Sequence, residues 1–148
     1  MKMRAAIIVG VLVLVDQLAK FLATANLKLN ESYSVLKGIF HLTLVHNSGA
    51  AFGFFKQRAA VFIFVSIAAI FLILFYARRF RYDYRYARAG LILILAGAIG
   101  NLIDRLRLGY VVDFLDFRIW PVFNFADMFI SLGGLLLVYH ILTFRKAG

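Results

Sequence analysis

The acidic side chains are the part of this sequence that is best suited to do chemistry. The chain has 148 residues, and only seven of them are acidic. Glu31 lies in a polar loop and Asp83 lies among arginines, so both are interpreted as solvated charges. The other five lie inside or beside apolar stretches, where a charge costs about 2.5–3.5 kcal/mol at mid-bilayer and needs a partner or a task. These five are Asp16, Asp104, Asp113, Asp116 and Asp127.

Asp113 and Asp127 are the best candidates for acid–base catalysis. Asp113 is surrounded by apolar residues, and Asp127 opens the last apolar stretch, where on its own it would be interpreted as a helix cap. Two carboxylates about 4 Å apart repel by about 4 kcal/mol at an effective dielectric near 20, or about 3 pKa units. One acid then stays protonated while the other, ionised, activates water, as in aspartic proteases. Spacing alone leaves Asp104 or Asp116 open as the partner.

The remaining acids have structural interpretations. Asp16 and Lys20 are one helical turn apart and predict a neutralised pair that fixes helix packing. Asp104 adjoins Arg105 and follows Asn101 by a turn, a polar cluster suited to holding a neighbouring loop. Asp116 is interpreted as a solvated loop charge.

Other catalytic chemistries find little support in the sequence. The chain has no cysteine, which excludes disulfides, thiolate metal sites and thiol nucleophiles. The three histidines do not form a zinc motif, and Ser48 is not in a G-x-S-x-G turn. We therefore expect neither a metal nor a cofactor.

Composition indicates whether the elements that carry these acids are surrounded by water or by lipid. Apolar residues make up 64% of the chain and charged residues 16%, against roughly 45–50% and 25% in soluble domains. Four stretches, at about 5–24, 59–77, 89–103 and 128–144, approach the roughly 20 residues that a bilayer-spanning helix needs. Residues 1–148 therefore predict a single integral membrane domain, an all-α bundle of four transmembrane helices. The glycines expected to allow close helix packing are Gly97, Gly100, Gly133 and Gly134.

Charge asymmetry predicts the orientation of this bundle. The chain has a net charge of +10, and basic residues concentrate in segments 1–4, 78–88 and 145–148. By the positive-inside rule both termini are cytoplasmic, and loops 25–57 and 104–125 face outward. No basic stripe with interleaved polar residues is present, so we expect no nucleic-acid partner.

The outward loops have patterns of their own. Residues 38–44 alternate apolar and polar side chains, as in a half-buried strand, and residues 111–117 are also expected to be extended. Residues 50–55 are too apolar for a loop that faces only water. These patterns predict a small extracytoplasmic β-sheet with an interfacial flap.

The first 25 residues also resemble a cleavable signal peptide, with basic residues, an apolar run and Ala23-Thr24-Ala25. Asp16 and Lys20 interrupt that apolar run, and removal of the segment would leave an odd number of spans. We therefore predict a retained helix.

Five motifs, in chain order, resemble those of the lipoprotein signal peptidase family, also called signal peptidase II. The resemblance covers nearly the whole chain, and five collinear motifs on one topology are far more specific than any single one. The motifs are Asp16-Gln17-x-x-Lys20, Asn47-x-Gly49-Ala50-Ala51-Phe52, Gly97-Ala98-x-Gly100-Asn101-x-x-Asp104-Arg105, Gly109-x-Val111-Val112-Asp113-Phe114 and Phe123-Asn124-x-Ala126-Asp127.

The resemblance implies an aspartic endopeptidase of the bacterial cytoplasmic (inner) membrane, whose site faces the extracytoplasmic side, and we expect a monomer. Its implied substrate is a prolipoprotein that already carries diacylglycerol, cut immediately before the lipidated cysteine. The resemblance selects Asp113 and Asp127 as the catalytic dyad. It implies substrate binding by Asn47, Asn101, Arg105 and Asn124, and structural support by Asp16, Lys20 and Asp104. The stretch between Asp113 and Asp127 is a few residues shorter than usual in the family.

Two other functions fit parts of the sequence. A small proton-coupled transporter would use a lone carboxylate near mid-span, such as Asp16, but would leave the outer acids unexplained. A non-enzymatic membrane scaffold would tolerate asparagine at both Asp113 and Asp127.

Overall fold

The computed structural model of the protein describes residues 3–49, 59–77 and 84–144. The fold is mostly helical and includes one small sheet. In chain order the elements are helix α1 (Met3–Asn26), strands β1 (Ser32–Leu36) and β2 (Phe40–Asn47), helices α2 (Ala59–Ala77) and α3 (Arg85–Leu108), strand β3 (Val111–Asp116) and helix α4 (Phe125–Phe144).

The helices have the length and surface of membrane-spanning elements. Among the described residues, α1, α3 and α4 (over Phe125–Thr143) are long and apolar enough to cross a bilayer, and α2 has a shorter apolar segment, Ala60–Tyr76. Large apolar side chains such as Phe21, Phe64 and Leu135 are exposed along these helices. Since contiguous apolar surface of this kind is rare in water, these faces contact lipid and the chain is a multi-pass membrane protein.

Helix α2 has the predicted bounds, and the other three helices extend further than the apolar stretches that predicted them. Helix α3 runs from Arg85 to Leu108, so Asp104 and Arg105 are helical and do not lie in an outward loop that begins at residue 104. It ends where Gly109, with φ +81°, donates its N–H to the carbonyl of Arg105. The helix thus continues beyond the end of the apolar run, through Asp104, Arg105 and Arg107.

Helix α3 lies at the centre of the bundle, packed against α1, α2 and α4. A Cβ on Gly97 would overlap the carbonyl oxygen of Ala126, and one on Gly100 would lie 2.6 Å from Asp16 Oδ2. Gly133 likewise faces the backbone of Gly90, a contact that the sequence did not indicate. These contacts confirm the predicted close packing at Gly97, Gly100 and Gly133. The prediction was wrong for one glycine, Gly134, since no atom of the described residues lies within 4 Å of a Cβ added there.

The three strands form an antiparallel sheet in the order β1-β2-β3. The two predicted extended segments correspond to β2 and β3. Strand β1, which was not predicted from the sequence, forms a hairpin with β2. Strand β3 is buried along its whole length, and its Phe114 and Leu115 pack with Leu44 and with Ala23 of α1. The sheet is thereby anchored to the end of the helical bundle, and Asp113 lies at that junction.

Candidate active site

Asp113 is a buried carboxylate in the middle of β3. Only 1% of its surface is exposed. The side-chain amide of Asn47, at the end of β2, donates to Oδ2 at 2.8 Å, and that of Asn124 donates to Oδ1 at 2.6 Å. Both oxygens therefore have a fixed donor, and each still has a second lone pair for a proton or a ligand.

Asp127 lies in the first turn of α4 and is half-buried. Its Oδ1 accepts a hydrogen bond from the Asn101 side-chain amide at 2.7 Å, and its backbone N–H donates to Asn124 Oδ1 at 2.9 Å. Asn124 is thus the residue that caps the helix, not Asp127. The carboxylate of Asp127 is left free of a capping role.

Asn124 joins the two acids through a single side chain. Its amide nitrogen bonds Asp113 while its amide oxygen bonds the backbone of Asp127, and its side chain is fully buried. It also donates to Asn101 Oδ1 at 3.2 Å. Asn124 therefore holds the middle of β3 to the start of α4, and Asn101 joins α3 to the same start of α4.

Asp104 belongs to a separate buried ion cluster. Lys20 lies 2.9 Å from Asp16 and 3.0 Å from Asp104, and all three side chains are almost fully buried. Asp104 also accepts the backbone N–H of Val112 at 3.0 Å, which ties α3 to β3. With its charge paired by Lys20, Asp104 is poorly suited to act as the partner of Asp113.

Asp116 is not the solvated loop charge that the sequence suggested. It ends β3 with only 5% of its surface exposed, and it accepts hydrogen bonds from Thr43 (2.7 Å) and from the backbone and guanidinium of Arg118. Burial alone would raise its pKa, but these hydrogen bonds lower the pKa of Asp116 below the ordinary value. Through the hydrogen bond from Thr43, Asp116 links β3 to β2 at the end of β3 that is farther from Asn47.

The environment raises the pKa of Asp113 from 3.8 to about 7. Burial is the largest cause, because it disfavours the charged form. The hydrogen bond from Asn47 opposes the shift, the negative charge of Asp127 adds to it, and Asn124 and Lys20 oppose it. Repulsion between the two acids is the cause that the sequence suggested for such a shift. The removal of the Asp113 carboxyl group from water has the larger effect on its pKa.

Asn47 and Arg105 are the accessible members of the site. Both are half-buried. The guanidinium of Arg105 lies over the ring of Phe62 at 5.5 Å and interacts electrostatically with Asp127, Asp113 and Asp104, in decreasing order. Asn47 Oδ1 accepts the N–H of Gly49, whose φ is +81°, in a turn that leads into residues 50–58. The predicted flap and the Ala50-Ala51-Phe52 part of its motif lie outside the described residues.

The comparison with known families decides the identity of the chain. A family described as "Signal peptidase (SPase) II" matches residues 8–143. The chain belongs to the signal peptidase II family. It is therefore a peptidase, and every acid and amide described above lies inside the matched region.

Relatives of this signal peptidase II chain share it nearly end to end. A lipoprotein signal peptidase of Halothermothrix orenii is 43% identical over 148 residues, covering 96% of this chain and 97% of the relative. One from Moorella thermoacetica is 50% identical over 128 residues, covering 86% and 85%. A bacterial membrane enzyme solved at 1.9 Å resolution has a TM-score of 0.84 and 29% identity, covering 94% of this chain and 92% of its own.

One functional candidate had no predicted role. Gln17 donates to Asp104 at 2.9 Å and to the carbonyl of Gly100 at 3.2 Å, so it joins α1 to α3 beside the ion cluster. Its place in the first motif was the available signal.

Within the described ranges no group of three or more His, Cys, Asp or Glu side chains could hold a metal ion. His46, for example, is stacked on Tyr110, with ring centroids 3.9 Å apart.

Proposed function

We propose that this protein is an aspartic endopeptidase that removes signal peptides from diacylglyceryl-modified prolipoproteins, cutting immediately before the lipidated cysteine. The observation that carries the proposal is that Asn124 bonds both the Asp113 carboxylate and the backbone N–H of Asp127, while the charge of Asp127 acts on Asp113. Family membership supports peptidase activity, and the paired carboxylates supply a chemistry for it that requires no nucleophilic side chain.

Asp127 is the base and Asp113 the acid in this proposal. Asp127 lies at the N-terminal end of α4, where the helix dipole, the hydrogen bond from Asn101 and the positive charge of Lys20 favour its charge against the cost of burial. Asp113 has a pKa of about 7 and so carries a proton in much of the protein at neutral pH. One ionised and one protonated carboxyl group side by side are what general acid–base hydrolysis needs.

The reaction then has two steps, formation and breakdown of a tetrahedral diol, with two proton transfers in each. Water attacks the scissile carbonyl carbon and gives a proton to Asp127, while Asp113 gives its proton to the carbonyl oxygen. In the resulting tetrahedral diol, Asp127 returns its proton to the amide nitrogen, the carbon–nitrogen bond breaks, and a diol hydroxyl returns a proton to Asp113. Both acids end in their initial states.

The four residues assigned to substrate binding divide into two pairs. Asn101 and Asn124 are buried, and their amide groups are hydrogen-bonded to the two acids, so we propose that they act by holding the dyad. Asn47 and Arg105 are half-buried, with polar groups beside the acids, and are proposed to contact the substrate backbone. Asp16, Lys20 and Asp104 support the fold from behind the dyad.

The lipid on the substrate accounts for the position of the acids at a helix end. Diacylglycerol partitions into the bilayer at about 0.8 kcal/mol per buried methylene, which holds the adjacent peptide bond near the membrane surface. Water is available at that depth and absent from the middle of the bilayer. A monomer could therefore capture its substrate by lateral diffusion in the membrane.

We propose that α2 completes a single four-span domain in the cytoplasmic membrane, with cytoplasmic termini and an outward-facing site, as the basic residues favour. Because the chain has no cysteine, single-cysteine variants report orientation cleanly. We expect Lys37→Cys, in the β1–β2 turn, to react with an impermeant maleimide in intact cells. Arg4→Cys should react only after permeabilisation, and the reverse pattern would contradict the orientation.

Incubation with two forms of one precursor tests the proposed function. We expect cleavage of the diacylglyceryl-modified form, with a product that begins at the lipidated cysteine, and at least about 100-fold slower cleavage of the unmodified form. Failure to cut either form, with enzyme reconstituted in lipid, would refute the activity.

The transporter alternative is disfavoured because its candidate acid, Asp16, is paired with Lys20.

The pH dependence of cleavage follows from Asp113. Since the proposed acid must be protonated, kcat/KM should fall about tenfold per pH unit above roughly pH 7. Stability should change in the same direction: the folded protein binds an extra proton between 3.8 and about 7, so its free energy of unfolding falls as pH rises through that window. A rate that stays constant up to pH 9 would contradict the assignment.

A further inference from the structure

The ammonium group of Lys20 is the centre of a buried network that reaches both candidate catalytic acids. Lys20 is 3% exposed, and its nitrogen has three acceptors, one for each N–H. They are Asp16 Oδ2 at 2.9 Å, Asp104 Oδ2 at 3.0 Å and Asn101 Oδ1 at 2.9 Å. The donors of the ammonium are fully used, so its position is fixed by all three.

Two of these contacts lead to the backbone beside the dyad. Asp16 also accepts the N–H of Ala126 at 2.9 Å, and Ala126 immediately precedes one catalytic acid. Asp104 also accepts the N–H of Val112 at 3.0 Å, and Val112 immediately precedes the other. Each acid therefore follows a backbone group that is tied to Lys20 through one carboxylate.

The third contact fixes the direction of the Asn101 amide together with Asn124, whose amide also donates to Asn101 Oδ1, at 3.2 Å against 2.9 Å for Lys20. An ammonium can only donate, so the oxygen of Asn101 must face Lys20 and the nitrogen must face away. That nitrogen donates to Asp127 Oδ1 at 2.7 Å. If the amide were reversed, its oxygen would face the carboxylate of Asp127 and the hydrogen bond would be lost.

We propose that Lys20 is a positioning residue of the peptidase, whose ammonium sets the relative position of the Asp113 and Asp127 carboxylates and the direction of the Asn101 amide. The proposal rests on the proposed dyad and extends it. Support of the fold alone would require only that Lys20 neutralise the two acids beside it. Positioning requires in addition that a folded protein without the ammonium lose catalytic rate.

A double-mutant cycle separates these two roles. Lys20→Met removes the donor at similar length but leaves Asp16 and Asp104 buried without a cation. The double variant Lys20→Met/Asp104→Asn keeps the net charge of the cluster at −1, because only Asp16 remains charged, and Asn at position 104 can still accept the N–H of Val112. The fourth corner of the cycle is Asp104→Asn, in which Lys20 can still donate to Asn101.

The melting temperature is measured for all four proteins, and kcat and KM with the diacylglyceryl precursor, using single-turnover assays for the slow variants. Positioning predicts that the double variant melts above Lys20→Met, which leaves two buried carboxylates without a cation, and below Asp104→Asn, in which Lys20 still pairs with Asp16. Its kcat should nevertheless be about 100-fold lower than that of Asp104→Asn, the size of loss expected when reacting groups move by about 1 Å. KM should change by less than about threefold, since Lys20 does not reach the substrate.

Three results would overturn the proposal. The first is a double variant whose kcat recovers together with its melting temperature. The second is a folded Lys20→Met protein with kcat within about threefold of the unsubstituted enzyme. The third is a double variant that cannot be isolated folded, which would assign Lys20 to support of the fold. Absence of cleavage by the unsubstituted enzyme is a different outcome, because it refutes the proposed function.

Discussion

Replacing either Asp113 or Asp127 by asparagine is expected to reduce kcat by about 10⁴-fold while the protein still inserts and purifies normally. Each acid contributes one proton transfer to each step, worth about 10²–10⁴-fold, and loss of one member of a coupled pair removes most of what the pair does. Asparagine keeps the size of the side chain and one acceptor oxygen. The loss should therefore be in chemistry, measured as single-turnover cleavage of a diacylglyceryl precursor.

Asp116→Asn is the matched control for this result. Asp116 lies in the same strand as Asp113, is also buried, and is hydrogen-bonded to Thr43 and Arg118 instead of to the dyad asparagines. We expect it to retain at least about a third of the activity, with a lower melting temperature. Near-normal cleavage by either dyad variant would refute the mechanism, and equal losses in all three variants would point to a general effect of buried carboxylates.

Replacing Asn124 by alanine is expected to give the second-largest effect, a fall in kcat of about 100-fold or more with little change in KM. Its side chain is fully buried and bonded to both acids, so it has no free surface for substrate. The free energy of unfolding should also fall, by about 1–3 kcal/mol, because the start of α4 loses its cap and a buried carboxyl loses a donor.

Asn26→Ala is the control for Asn124→Ala, since Asn26 is exposed at the end of α1 and its side chain donates to the carbonyl of Leu22 one turn earlier. It should leave both kcat and the melting temperature nearly unchanged. A large rise in KM for Asn124→Ala with unchanged kcat would mean that this amide binds substrate, as the family resemblance first implied, and does not hold the dyad.

The sequence predicted a membrane environment, the helices and the residue types of the site, because these depend on local composition. Apolar runs locate membrane helices, and an acid inside such a run needs a partner wherever the chain folds. The i,i+4 relation of Asp16 and Lys20 and the strand pattern around Asp113 are both local. Each has its counterpart in the structure, as an ion pair and as strand β3.

The contacts that assemble the site were not predictable in the same way. Asp16 bonds the N–H of Ala126, 110 positions away, and the capping of α4 by Asn124 depends on where α4 begins. Helix α3 continues past the end of its apolar run because Asp104 finds partners on other elements. Strand β1 was missed because all five of its residues are exposed, so burial imposes no alternation on them.

The spacing of the acids also left open which one pairs with Asp113. In the structure Asp104 is paired with Lys20 and Asp116 is bonded to Arg118, while Asp127 shares Asn124 with Asp113. That distinction depends on where the surrounding cations and amides lie after folding. Spacing along the chain carries no information about it.

Carbon-13 NMR titration of the aspartate carboxyl groups is the most direct test of a proton held between Asp113 and Asp127. The signal absent from Asp113→Asn identifies Asp113 in the spectrum of the unsubstituted protein. Its midpoint should lie near pH 7, and it should fall in Asp127→Asn because the neighbouring negative charge is removed. A midpoint near 3.8 that does not respond to Asp127→Asn would contradict the shared-proton mechanism.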